Sequence, residues 1–179
     1  YQIRGRNAVI TGASSGMGRE LARLMAEGGA DLVLAAHPQE KDALADYAHE
    51  LSRRYGVKAY PVAVDLADAD GRRELRDRAL DSLAHVDILV NCAGLYAHGD
   101  FHELPLERQE LLVEVNAIAL MSLTHLFLPD MIARRDGRIL NFSSTAAFQP
   151  TANEAVYAAT KAFVQSFSEA VRQEVRKYG

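Results

Sequence analysis

A hydroxyl, a phenol and an ammonium stand in the C-terminal part of this 179-residue chain, at Ser144, Tyr157 and Lys161. A helix over this stretch puts Tyr157 and Lys161 on one face, about one turn apart. An ammonium beside a phenol favours the phenolate, which predicts a Tyr157 pKa below the reference of about 10. A phenol tuned in this way donates a proton to a ketone being reduced, or takes one from an alcohol being oxidised. Ser144, at the end of a predicted strand, is placed to hydrogen-bond the substrate oxygen. By itself a Tyr-x-x-x-Lys pair is a weak signal, since such pairs occur on many helix surfaces. Asn116 is a polar residue inside a long apolar helix. It reads either as a buried amide satisfied by backbone groups or as part of a hydrogen-bonded relay behind Lys161.

At the other end of the chain, TGASSGMG runs from Thr11 to Gly18. Gly12, Gly16 and Gly18 fall in the turn between the first strand and the first helix. There glycine allows close backbone approach, and the helix N-terminus offers free N–H groups to a pyrophosphate. Ser14 and Ser15 offer hydroxyl donors in the same turn. The spacing is G-x-x-x-G-x-G rather than the common G-x-G-x-x-G, and a Gly-rich turn that merely opens a helix is the plain alternative. The second strand ends in Ala35, Ala36 and His37, without the acid that would bind a ribose diol. With no carboxylate there, and with His37 or Lys41 able to meet a 2′-phosphate, NADP(H) is the expected cofactor, with NAD(H) also possible. An exposed loop histidine is the alternative for His37.

The elements that must position these groups alternate along the chain. Strands are predicted at Asn7–Thr11, Asp31–Ala36, Val57–Val64, Val86–Asn91 and Arg138–Ser143. Helices are predicted at Met17–Glu27, Gln39–Tyr55, Asp68–Ala84, Leu106–Arg134 and Ala155–Lys177, the fourth bent near Pro129. Uniformly apolar strands in unbroken β-α alternation predict a parallel sheet covered on both faces. The expected fold is therefore α/β, a doubly wound Rossmann-type sheet in three αβα layers.

TGASSGMG, NCAG at Asn91–Gly94, Asn116, the Ser144 to Tyr157 interval and YAATK at Tyr157–Lys161 together resemble the short-chain dehydrogenase/reductase family, in the right order over nearly the whole chain. The resemblance implies a catalytic tetrad of Asn116, Ser144, Tyr157 as general acid/base, and Lys161, which also binds the nicotinamide ribose. It assigns Gly12, Ser14, Ser15, Gly16, Met17 and Gly18 to the pyrophosphate. Asp65, with Leu66 beside it, goes to the adenine, and Asn91, Ala93 and Gly94 support the cofactor and the central strand. NADP preference in that family goes with a basic residue before the second glycine or just after strand two. Ser15 departs from the first pattern and His37 matches the second only loosely. The family continues past the last helix into further strands and a substrate-covering loop. The expectation is thus a single NAD(P)-binding domain over residues 1–179 that is incomplete at its C-terminus.

Composition narrows the other classes. The net charge is −4 and Lys and Arg form no long block, which argues against a nucleic-acid surface. Arg53-Arg54, Arg72-Arg73 and Arg134-Arg135 read as solvated faces or helix caps. One cysteine, Cys92, allows no internal disulfide and no multi-cysteine zinc site. It reads as a small apolar side chain. His98 and His102 have i, i+4 spacing but no convincing third ligand, and Asp65, Asp68 and Asp70 lack the Gly and Glu of a calcium loop, so no metal is expected. No eighteen-residue apolar stretch and no signal peptide are read, giving the expectation of a cytoplasmic protein without a membrane span.

The breadth of the apolar surface on helices 106–134 and 155–177 exceeds what a sheet must cover. A homodimer or homotetramer through those helices is expected, or else cover by further chain. The expected function is hydride transfer between NADP(H), or NAD(H), and a small-molecule secondary alcohol or ketone. Phe101, Phe148 and Pro150 make the predicted pocket rim partly apolar, which suggests a lipid-like, steroid-like or aromatic carbonyl. A catalytically weak dinucleotide sensor or scaffold of the same fold is the alternative. A nucleotide-sugar epimerase or dehydratase ranks behind both.

Overall fold

The computed structural model describes residues 2–178. Its centre is a parallel sheet of β1 (Asn7–Thr11), β2 (Asp31–Ala36), β3 (Ala59–Ala63), β4 (Ile88–Asn91) and β5 (Arg138–Asn141). The strand order is β3-β2-β1-β4-β5, so the chain reverses direction across the sheet between β1 and β4. A crevice opens at such a switch point beyond the carboxyl ends of the strands, and ligands of open α/β sheets bind there.

The apolar runs fold this way because both of their faces are covered. Ala8, Ile10, Leu32, Leu34, Ile88 and Val90 pack on one side with Ala22 and Met25 of α1 (Gly16–Glu27) and Leu44, Tyr47 and Leu51 of α2 (Lys41–Tyr55). Their neighbours Val9, Val33, Val62 and Leu89 point the other way. They meet Leu75 and Ala79 of α3 (Ala69–Leu83) and Leu123, Phe127 and Met131 of α5 (Leu120–Arg134). Strands with both faces buried read as continuous apolar runs, and these do. Pro61 in β3 pairs with Leu34 of β2, and β3 tolerates it as an outer strand whose other side needs no ladder donor. Asp68 caps α3, its Oδ1 accepting from the Asp70 amide at 3.1 Å, and Gly56 ends α2 in the left-handed region.

Three expectations are corrected. The long helix predicted at 106–134 is α4 (Leu106–Val113), a π-helical turn at Glu114–Ala119, and α5. Its irregularity therefore lies around Asn116, while α5 runs on through Pro129. That combined segment is also long and apolar enough, by composition, to cross a membrane, contrary to the expectation of no such stretch. Leu112, Leu120, Leu123, Phe127 and Met131 are buried, and the last three lie in the core cluster against the sheet, which makes it a core helix. Arg72 is buried rather than solvated. Its guanidinium donates to the carbonyls of Leu66 (2.8 Å) and Ala67 (3.2 Å) and faces Glu114 at 3.5 Å.

Candidate active site

The turn after β1 and the turn after β4 face each other across the crevice. Thr11 joins them. Its Oγ1 accepts from the amides of Cys92 (3.1 Å) and Ala93 (3.0 Å) and lies 3.4 Å from the Val90 carbonyl. Gly18 must be glycine for packing, because a Cβ there would lie 2.2 Å from the Gly12 carbonyl oxygen. Gly16 needs none for packing. It has a φ of +53° and a Cβ would meet nothing within 4 Å, so the backbone of the turn faces open space. That space is a cavity of about 540 Å³ lined by Gly12, Ser14–Gly18, His37, Glu40, Asp65, Leu66 and Ala93–Leu95, among others. A volume in the range of ligand sites, beside exposed amides at a helix N-terminus, fits a dinucleotide.

All of the sequence-predicted cofactor residues except Asn91, Tyr157 and Lys161 line this cavity. Asn91 lies below it, its amide donating to Asn141 Oδ1 (2.9 Å) and lying 3.4 Å from Thr124 Oγ1, which ties β4 to β5 and α5. Asp65 stands at the end of β3. It accepts from the Ala67 amide at 2.9 Å and lies 3.8 Å from His37 Nε2. Lys41 opens α2 and is not among the cavity-lining residues.

The second cluster is built where β5 ends against α6 (Ala155–Val175). Lys161 is buried, and desolvation holds its ammonium below the ordinary lysine value. Its Nζ donates to the Phe142 carbonyl at 2.9 Å and lies 5.7 Å from the centroid of the Tyr157 ring. One residue on, Ser143 Oγ donates to the Lys161 carbonyl at 3.0 Å, so the strand end and the helix are fastened on both sides. Ser144 caps a 3₁₀ turn at Thr145–Phe148, its Oγ accepting from the Ala146 amide at 3.2 Å. The two clusters meet at Gly94, where a Cβ would lie 3.8 Å from Lys161 Nζ and 3.3 Å from Asn116 Oδ1.

Asn116 sits in the π-helical turn and is buried. Its Oδ1 accepts from the Leu95 amide at 2.7 Å, and its Nδ2 donates to the Leu95 carbonyl at 2.9 Å and to Thr160 Oγ1 at 3.3 Å. Of the two readings left open for this residue, the backbone-satisfied amide describes its side-chain bonds, though the backbone it meets is far away in sequence.

Sequence reasoning missed Tyr96 and Glu154. Tyr96 packs edge-on against Tyr157, with ring centroids 5.0 Å apart, and its hydroxyl donates to Glu154 Oε1 at 2.6 Å. That bond raises the Tyr96 pKa. Both residues lie in connecting segments with no periodicity to mark them. Glu40, not weighed from the sequence, also lines the cavity, its Oε2 accepting from Ser14 Oγ at 2.8 Å. Cys92 lines the cavity, and burial pushes its thiol up, partly opposed by Lys161. His98 approaches Glu154 and His102 approaches Glu103.

The chain matches the family model described as short chain dehydrogenase over residues 6–179. It is 36% identical to a very-long-chain 3-oxoacyl-CoA reductase of Laccaria bicolor, over 97% of this chain and 52% of that protein. A short-chain dehydrogenase from Sphingobium yanoikuyae in complex with NADPH superposes with a TM-score of 0.91 at 33% identity, covering 97% of this chain and 67% of that one. A short-chain dehydrogenase/reductase from Burkholderia phymatum in complex with NAD gives 0.92 at 30% identity, covering 100% and 63%. The chain spans between 52% and 75% of the length of the curated relatives it matches. With the fold, the dinucleotide crevice and the family match in agreement, the chain belongs to the short chain dehydrogenase family of NAD(P)-dependent oxidoreductases.

Proposed function

We propose that the protein interconverts a ketone and a secondary alcohol, with NADP(H) preferred and NAD(H) accepted. The observation that carries this reading is the buried Lys161 ammonium beneath Tyr157, at the edge of the glycine-lined cavity. A bound nicotinamide would supply or accept the hydride. Tyr157 holds the proton that goes to the carbonyl oxygen on reduction and takes it back on oxidation. Lys161, fixed by the Phe142 carbonyl, brings positive charge to the phenol side of the site and is in reach of a ribose entering past Gly94. Ser144 orients the substrate oxygen, and Asn116 holds Leu95 so that the NCAG turn keeps its shape.

Support for NADP(H) comes from the absence of an acid among Ala35, Ala36 and His37 at the end of β2 and from the NADPH-bound relative. Phe101 and Phe148, 63% and 74% exposed, support an apolar carbonyl substrate. Exposed Leu106, Leu111, Val113, Met121 and Phe163 on α4, α5 and α6 support a homodimer or homotetramer through these helices.

Titration of the full-length protein with NADPH and NADH, followed by a panel of apolar ketones, tests the reading. Parent protein should bind and turn over. Tyr157→Phe should bind the dinucleotide unchanged and lose about 10²-fold or more in kcat. Absence of dinucleotide binding, or full turnover by Tyr157→Phe, would refute it.

A further inference from the structure

Tyr157 has an aromatic neighbour that is itself fixed through the rim of the site. Tyr96 meets the Tyr157 ring edge-on, with centroids 5.0 Å apart and planes at 85°, an arrangement that suits two ring quadrupoles. It stands two residues beyond Gly94, in the loop that leaves β4. The root of that loop is held from two helices. Asn116 closes both backbone groups of Leu95, and Arg108 of α4 donates to the Tyr96 carbonyl at 3.1 Å. The Tyr96 hydroxyl donates to Glu154 Oε1 at 2.6 Å. A short bond from a phenol to a carboxylate belongs to the stronger, charge-assisted class.

Glu154 stands just before α6, one turn ahead of Tyr157. An acid at that place can accept from the first amides of its helix, but the Glu154 side chain makes no capping bond and reaches to Tyr96 instead. Other bonds run beside this one. The Gly99 amide donates to the Asn153 carbonyl at 2.9 Å, and Asn153 Nδ2 donates to Asp100 Oδ1. Asn153 takes up a left-handed backbone, φ +64°, which asparagine tolerates better than most residues. Behind the loop, the buried Gln109 donates to the carbonyls of Phe101 (3.3 Å) and Leu104 (3.2 Å). The loop and the start of α6 are thus joined as one unit, and Tyr96 carries its packing onto the phenol ring.

On the reading of Tyr157 as the proton donor given above, we infer that Tyr96, tied by Glu154, is a positioning residue for that donor. Tyr157 projects from the first turn of α6, where helices fray, and it is only half-buried. Its ring therefore takes its orientation from neighbours outside its own helix. Proton and hydride transfer to a carbonyl need the reacting atoms close and aligned, and small displacements lower the rate steeply. Tyr96 limits the swing of the ring, and Glu154 limits the swing of Tyr96.

Tyr96→Leu removes the ring, Tyr96→Phe removes only its hydroxyl, and Glu154→Gln keeps an acceptor for it. Full-length parent and variants are compared on one apolar ketone by kcat, KM and the isotope effect with NADPH deuterated at the transferred position, alongside NADPH affinity and Tm. We expect kcat to fall about 10- to 100-fold in Tyr96→Leu and about 3- to 10-fold in Tyr96→Phe, with a smaller loss in Glu154→Gln. NADPH affinity should hold, and the isotope effect should rise as the chemical step becomes limiting. In protein labelled with fluorotyrosine and free of cofactor, the Tyr157 fluorine resonance, assigned with Tyr157→Phe, should shift or broaden in Tyr96→Leu. A parent-like kcat in Tyr96→Leu, or a kcat that falls in step with NADPH affinity at an unchanged isotope effect, would overturn the inference. If Tyr96→Leu does not fold, Tyr96→Phe decides alone, and a parent-like kcat in it overturns the inference. Full turnover by Tyr157→Phe would overturn the enzyme reading beneath it.

Discussion

Asn116→Ala should destabilise the protein by about 2–3 kcal/mol. The side chain closes both backbone groups of Leu95, accepting from its amide at 2.7 Å and donating to its carbonyl at 2.9 Å. Each neutral bond of that quality contributes about 1 kcal/mol, and a buried partner left unmade costs more. Leu95 is only half-buried, so water partly replaces the lost amide and holds the cost near the lower end of that range. The bond to Thr160 at 3.3 Å is long and adds less. Truncation also leaves a small void in a buried position. For a chain of this size the sum corresponds to a fall in Tm of roughly 5–10 °C. Urea unfolding of the full-length variant measures the change directly. Asn116→Asp provides a second arm, since it keeps the acceptor for the Leu95 amide but turns the donor into an oxygen facing the Leu95 carbonyl. It should be at least as unstable as the alanine variant at neutral pH and recover in part in acid, where the substituted carboxyl donates again. An alanine variant within about 0.5 kcal/mol of the parent would refute the argument that this amide is a clamp on the NCAG turn.

Two further outcomes are expected. Gly18→Ala places a methyl 2.2 Å from the Gly12 carbonyl oxygen, so the turn must shift. Stability should drop by about 1–3 kcal/mol and dinucleotide affinity at least 10-fold, while parent-like binding by titration would contradict the tight turn. Lys161 carries a pKa depressed by burial, so the unfolded chain holds more protons than the native one between the depressed value and the ordinary value of about 10.4. Its stability deficit is full below that window and disappears as pH rises through it. Lys161→Met removes the titration. Its stability relative to the parent should fall as pH is raised towards 10, which paired urea melts at pH 7 and pH 10 check, and a constant difference would show that the lysine is not desolvated.

The sequence made the sheet legible where burial on both faces leaves no alternative to apolar residues. The bounds expected for β1 and β2 agree with Asn7–Thr11 and Asp31–Ala36. The other three strands came out shorter than expected: β3 and β5 are outer strands with one side free of the ladder, and the inner β4 starts at Ile88 rather than Val86. The glycine turn and the Tyr157–Lys161 pair could be read because their spacing is local. The π-helical turn could not. Glu114 to Ala119 looks like ordinary helix, and its special residue, Asn116, makes its bonds to Leu95 and Thr160, which no local pattern reveals. The same holds for Arg72, whose burial depends on two carbonyls offered by the loop before its helix, and for Tyr96, which meets Tyr157 only after the chain has folded.

The Thr11 hydroxyl has a wider consequence. The two halves of a doubly wound sheet part at β1 and β4, and a crevice there would ordinarily be free to breathe. One oxygen holding the Cys92 and Ala93 amides fixes the width of that opening from within. The ordering of the two walls is then completed when the chain folds, and a ligand entering between them has less freedom left to remove. On the proposed function, discrimination among substrates falls instead to the outer rim, from Tyr96 to Pro105 and from Thr145 to Glu154. The crevice is then the rigid frame of the site, set before any ligand arrives.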